Sequence, residues 1–153
     1  MTDPTSGSPL SRKQRIHRMR ARSWVLQVLY EWEGRQDGRQ LSDVVESVLA
    51  RRRVDSERVP RIREHLAAVS GHLERIDGVL KDAMHNWRLD RLSRVDRCIL
   101  RLAVAELLVL RDVPPKVVLQ EAIRLAGQYG GQESPRFVNG VLDAVFRTHL
   151  PDG

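Results

Sequence analysis

VDRCILRLAVAELLVLRD, residues 95–112, carries apolar side chains on most faces of a helix. A helix of that kind has to be wrapped by others, so this stretch is expected at the centre of an all-helical fold. Ser93, with Asp96 three residues later, matches a capping-box pattern for its start, although Asp reaches less far than Glu. Moving outward on the C-terminal side, DVPPKVVLQEAIRLAGQYGG (112–131) restarts the chain with prolines at a helix N-terminus and stops it with glycines. ESPRFVNGVLDAVFRTHL (133–150) repeats the device. Ser134 is the expected cap, Pro135 lies in the first turn, and Val138, Val141, Leu142 and Val145 form the stripe.

On the N-terminal side the spacing predicts a first helix over about Arg15 to Glu33. Ala21, Val25, Val28, Leu29 and Trp32 form its apolar stripe, with Arg15, Arg18 and Arg22 together on another face. GRQDGRQ (34–40) reads as a loop. Ser42 is the expected cap of a second helix to about Arg53. Ile62, Leu66, Val69, Leu73, Ile76 and Leu80 recur at threes and fours, which predicts one long helix from about Arg61 to His85. Gly71 and Gly78 within it are tolerated costs or points of close helix approach. The connector NWRLDRLSRVD (86–96) holds Trp87, Leu89 and Leu92. The expectation is a flexible leader (1–11) and one domain (12–150) of six or seven helices, with helical subdomains at about 15–85 and 93–149.

The chain has 153 residues, 41% of them hydrophobic, enough for one domain with a proper core. No apolar run approaches the roughly 20 residues that cross a bilayer. The polar N-terminus lacks the apolar stretch of a secretory signal, and the single cysteine, Cys98, allows no internal disulfide, so a cytoplasmic protein is expected. The net charge of +6 is unevenly placed. Residues 1–22 hold Arg12, Lys13, Arg15, Arg18, Arg20 and Arg22 against Asp3 alone, a net of +5. A near-neutral body with a concentrated basic arm is the footprint of a polyanion binder, or else of a solvated basic tail.

Little suggests catalysis, and no enzyme, metal or cofactor is expected. His17, His65, His72, His85 and His149 make no ligand spacing with one another, with cysteine or with a carboxylate. His65 and His72 read as a surface pair on one helix face. Cys98, inside the apolar helix, reads as a core residue. GQYGGQ lacks the Lys-Ser/Thr and the preceding strand of a phosphate loop. Two features stand out. Asn139 and Gly140 fall mid-helix, where Gly costs roughly 1 kcal/mol against Ala. Either a neighbouring helix approaching too closely for a Cβ recovers that, with Asn139 satisfying a buried backbone group nearby, or the helix simply tolerates both. Tyr129 and Phe137 flank a loop that also holds Arg136; aromatics so placed stack on bases or plug the core.

At FVNGVLD (137–143) the sequence resembles the NusB family of bacterial transcription antitermination factors. RARSWVLQVLYEWE (20–33) resembles the family's first helix, VDRCILRLAVAELL (95–108) its central helix, and residues 112–145 its C-terminal region. The likeness spans about residues 18–147, with 37–85 carried mainly by pattern. It implies an all-helical protein that binds single-stranded boxA RNA together with NusE, a small-subunit ribosomal protein. With other Nus factors and RNA polymerase it would suppress premature termination and support ribosomal RNA synthesis. By this resemblance the RNA arm falls on Arg18, Arg20 and Arg22, and Arg12, Lys13 and Arg15 extend it on charge alone. The RNA-side aromatics fall on Tyr129 and Phe137, a tuning acid on Glu133, and a helping basic position on Lys116. Contacts to NusE fall on Tyr30 and Asp96.

The sequence departs from the family pattern at Ser23, where a Glu is usual, which makes the arm more basic. It departs also at Gln120 (commonly Asn), at Ala105 (an aromatic) and at Glu133 (commonly Asp). A role in chaperoning NusE or assisting ribosome assembly without antitermination uses the same surfaces and stays open. So does the oligomeric state, a homodimer included. NusB-like domains also precede RNA cytosine methyltransferases, a reading that needs a Rossmann-type domain beyond Gly153. A helix-turn-helix DNA regulator lacks an evident recognition helix here.

Overall fold

The computed structural model describes residues 10–35, 37–85 and 88–150. Those residues form seven α-helices and no strand: α1 (Arg12–Gly34), α2 (Leu41–Arg51), α3 (Val59–Gly71), α4 (Leu73–Ala83), α5 (Arg94–Val104), α6 (Pro115–Tyr129) and α7 (Ser134–His149). A 3-10 turn (Leu89–Arg91) precedes α5, and a π-helical segment (Ala105–Leu110) continues it. Most of the expected leader, residues 1–9, and Trp87 of the connector lie outside the described residues.

The 95–112 stretch is central, as its pattern predicts. Cys98, Ile99, Leu100 and every residue from Leu102 to Leu107 are buried. Helix α5 touches α1, α3, α4, α6 and α7, and the buried apolar side chains form one continuous core. Its start is as read: Ser93 Oγ accepts from the Asp96 backbone N–H at 3.2 Å. Helices α6 and α7 pack against each other, while α1 packs on α2, α3 and α5. Helix α4 lies on α5 and α7 and only lightly on α3.

Several boundaries differ from the expectation, each for a local reason. Helix α1 starts at Arg12, not Arg15, because Ser11 and Gln14 form a reciprocal capping box. Gln14 N–H donates to Ser11 Oγ at 3.1 Å, and Ser11 N–H donates to Gln14 Oε1 at 2.8 Å. Helix α2 starts at Leu41 with Gln40 as the flanking residue, so Ser42 sits inside the first turn rather than capping it. Glu133 holds the N-cap position of α7 and Ser134 is its first residue; the Ser134 hydroxyl instead accepts from Gly131 N–H at 2.9 Å.

The long helix expected over 61–85 is two. Gly71, a poor helix former, ends α3, and His72 leaves helical geometry at φ −132°. The His72 ring turns back to the Ala68 carbonyl at 3.1 Å. The apolar spacing runs on across the break, which is why the sequence conceals it. At Gly140 the structure decides for the tolerated helix over the close approach: a Cβ built there meets nothing within 4 Å, and Asn139 and Gly140 are both exposed. No helix approaches them. Gly71 and Gly78 are likewise open and are tolerated costs.

Candidate nucleic-acid interface

The basic residues of α1 divide by depth. Arg12, Lys13, Arg15 and Arg20 are exposed, Arg18 is half-buried, and Arg22 is only 3% exposed. The first turn of α1 contains cations and no acid. Helix dipoles favour the reverse arrangement, by about 0.3–1 kcal/mol per charge. The positive end of the helix dipole and the positive side chains there add on the same side of the electrostatic balance, and an anion relieves both.

Arg22 does not belong to an exposed arm. It points inward, where its Nε donates to Glu106 Oε1 at 2.7 Å and its Nη2 to Glu106 Oε2 at 2.9 Å. Nη1 adds Glu121 Oε1 at 3.3 Å. Glu106 belongs to the π-helical segment, whose end is marked by an Arg111 N–H to Glu106 carbonyl bond of 3.0 Å. Burial disfavours the charge on Arg22, but the hydrogen bond and charge of Glu106, then those of Glu121, outweigh it and raise its pKa. Burial likewise disfavours ionised Glu106, yet His65 and Arg22 together pull it down to about 2. His65 is wholly buried, contrary to the expected surface pair with His72. Its Nδ1 donates to the Arg61 carbonyl at 2.9 Å, and its Nε2 stands 3.5 Å from Glu106 Oε1. Sequence reading missed Glu106, although a single acid in an apolar run signals a buried cation nearby.

The second half of α1 borders a groove of about 780 Å³. Tyr30, 43% exposed, and Tyr129, 39% exposed, both line it, with Leu26, Gly34, Arg94 and Val95. The Arg94 guanidinium lies over the Tyr30 ring, 4.6 Å from its centre. Gly34 makes room for it, since a Cβ there would stand 2.4 Å from Arg94 Nη1. Asp96 follows two residues after Arg94, half-buried, and its Oδ1 is buried with no hydrogen-bond partner among the described residues. The groove thus brings together Tyr30 and Tyr129, expected on different partners. Arg94 escaped sequence reading because stacking needs a glycine 60 residues away in the chain.

Glu133 and Arg136 are exposed at the start of α7, and Phe137 is half-buried against the core, so it serves in part as the plug the sequence left open. Lys116 is exposed in the first turn of α6. Cys98 is buried; burial first, then Glu33, pushes its thiol far up, and it donates to Glu33 Oε2 at 3.1 Å. Among the described residues no cluster of His, Cys, Asp or Glu could hold a metal, and no helix is long and apolar enough to cross a membrane.

Comparison with known proteins agrees with this architecture. The NusB family model matches residues 19–147. The transcription antitermination protein NusB of Methylacidiphilum infernorum is 34% identical over 132 residues, 86% of this chain and 92% of that protein. That of Anaeromyxobacter dehalogenans is 43% identical over 133 residues, 84% of this chain and 89% of its own. The solved structure of T. maritima NusB superposes with a TM-score of 0.77 at 34% identity, covering 86% of this chain and 91% of that one. A crystal structure of antitermination factors NusB and NusE in complex with dsRNA matches at TM-score 0.74 and 29% identity, covering 86% and 96%. By sequence, fold and helix order, the chain belongs to the NusB family.

Proposed function

We propose that this protein is a transcription antitermination factor that binds boxA RNA as a single strand together with NusE. In this reading it joins RNA polymerase and other Nus factors and supports ribosomal RNA transcription. The observation that carries the RNA part is the start of α1: an ordered helix N-terminus bearing exposed Arg12, Lys13, Arg15 and Arg20 with no acid in its first turn. Phosphates satisfy such a terminus electrostatically, and arginine adds bidentate contacts and base stacking. The Tyr30–Arg94 groove, at the other end of α1 with Tyr129 on its wall, supplies a second surface for NusE or for splayed bases. Lys116, Glu133, Arg136 and Phe137 then border the RNA, with Tyr30 and Asp96 toward NusE.

A NusB–NusE pair has been solved with dsRNA. Two proteins that touch one RNA and each other raise each other's RNA affinity by the same factor. The test is fluorescence anisotropy with a short boxA strand and a scrambled strand, each with and without NusE. Preference for boxA that sharpens with NusE is the expected result. Equal binding to both strands, unmoved by NusE, would reduce the arm to a general polyanion grip and overturn the reading.

A further inference from the structure

The C-terminal end of α2 is latched onto α1 at two points. Arg51 Nη2 donates to both carboxylate oxygens of Glu31, at 2.7 and 2.9 Å. Arg52, the residue that flanks the end of α2, lays its guanidinium over the indole of Trp24, 5.3 Å from the ring centre. Trp24 is half-buried and packs against the core, so the platform under Arg52 is anchored. Arg52 is exposed, and its side chain makes no hydrogen bond or ion pair among the described residues. Stacking occupies one face of the guanidinium and leaves the other face and the in-plane N–H groups open. Cations at the end of α2 suit its dipole. The dipole does not account for a guanidinium laid against the ring of another helix.

The platform lies in line with part of the cationic start. A helix turns about 100° per residue, so Lys13, Arg20, Trp24 and Glu31 share one stripe of α1. Tyr30 falls on a different flank, the one that borders the groove. Lys13 and Arg20 are exposed, and the charge of Glu31 is taken up by Arg51 and Arg35. Arg53, also exposed, follows Arg52, and the next acid, Asp55, pairs with Arg58 at 4.0 Å. The surface is a run of unmatched positive charge with one flat stacking plane in it. A single nucleic-acid strand matches both features at once: its phosphates meet the cations and a base stacks on the open face of Arg52. An acidic protein segment would match the charge and leave the plane unused.

We propose that Trp24 and Arg52 form a stacking seat for one base of a single RNA strand, and that the strand reaches the seat along Lys13 and Arg20. The proposal rests on the RNA reading above and extends the RNA footprint to α2. Because the boxA bases are assigned to the other flank of α1, near Tyr129 and Phe137, the seat takes a nucleotide that flanks the boxA core. It accepts any base, since every base offers a π face. It therefore adds affinity and length of grip rather than sequence preference.

The experiment is anisotropy with two single strands, a boxA core and the same core extended at both ends by about six nucleotides of scrambled sequence. Each is titrated with the full chain, Arg52→Gln and Arg52→Lys, with circular dichroism to check folding. The unaltered chain is expected to bind the extended strand about five- to tenfold tighter than the core, the contribution of one stacked base. Both variants should lose that gain and keep most of the affinity for the core. Arg52→Lys retains the charge without the plane, so it separates stacking from charge. An extension that adds nothing to binding by the unaltered chain overturns the seat, and that comparison needs no variant to fold. A gain that survives in Arg52→Gln or in Arg52→Lys, or an equal weakening of both strands, overturns it as well. In each of these cases boxA binding by the unaltered chain keeps the wider reading intact. A glutamate-rich peptide that binds the unaltered chain but not Arg52→Gln, with no gain from the extended RNA, overturns the seat in favour of an acidic protein segment. Failure of the unaltered chain to bind either strand overturns the RNA reading and the seat with it.

Discussion

Arg22 and Glu106 meet through two parallel hydrogen bonds, at 2.7 and 2.9 Å, with both side chains withdrawn from solvent. The pair ties α1 to the π-helical continuation of the central helix. Removing one member leaves a buried charge without its counterpart, which typically costs about 3–5 kcal/mol. Arg22→Ala should lose that much in urea unfolding. The double replacement Arg22→Met with Glu106→Leu should recover most of it. A loss below about 1 kcal/mol for the single variant would show that water reaches the pair.

Acid should act through the same carboxylate. Glu106 is held down at about 2, against an ordinary carboxylate value of 4.5. Its folded pKa is depressed, so its contribution is full above the unfolded value and is lost as pH falls from about 4.5 toward 2. The shift corresponds to a few kcal/mol at most, on the order of 3. Unfolding free energy measured from pH 6 to 2 should fall steeply in that window, and less steeply in Glu106→Gln. Equal pH slopes in the two proteins would assign the acid sensitivity elsewhere.

The groove can be tested from its far wall. In Gly34→Ala the new methyl collides with the tip of Arg94, which must then leave the Tyr30 ring. The tip is flexible, so stability should stay within about 1 kcal/mol of the unaltered protein. NusE affinity, read by calorimetry, should fall roughly two- to fivefold if the stacked pair is part of the docking surface. Unchanged affinity would remove Arg94 from that surface.

The exposed cations of α1 make a quantitative prediction about salt. Replacing Arg12, Arg15 and Arg20 together by alanine should flatten the slope of log RNA affinity against log salt by about 2 for a single strand. Arg22 is left out because its charge is consumed inside the protein. A slope equal to that of the unaltered chain would take the start of α1 out of the RNA site.

Gly140 offers a control in the opposite direction. With open space where its Cβ would go and a helical setting, Gly140→Ala should stabilise the free protein by roughly 0.5–1 kcal/mol, seen as a higher unfolding midpoint. A lower midpoint would reveal a close neighbour on α7. If the alanine protein is more stable yet binds RNA or NusE less well, the exposed Asn139–Gly140 step is a contact face for one of them.

Much of the fold was legible because one signal ran without interruption. An all-round apolar helix at 95–107, proline starts at 114–115 and 135, and Ser93 as a cap placed the C-terminal half nearly to the residue. What stayed hidden was governed by single residues or by distant ones. Ser11 and Gln14 lengthened α1 through a reciprocal pair that charge-based reading passed over. His72 broke a helix whose apolar rhythm continued on both sides. The π-helical segment leaves no periodic trace over six residues. At the site, the exposed cations were legible from composition. Arg22 was misread because the acids that bury it, Glu106 and Glu121, lie 84 and 99 residues away in the chain.

Helix α1 joins its cationic start and Tyr30 on one unbroken rod. At 1.5 Å per residue, Arg12 and Tyr30 are set about 27 Å apart along its axis. The two ends are consequently indexed to each other in angle as well as in length. One residue inserted between Arg20 and Arg22 would turn the outer cations by about 100° relative to the groove without altering any side chain at either end. Phase along a single helix thus relates the cationic start of the chain to its groove, and the Arg22 clamp pins that phase to the core.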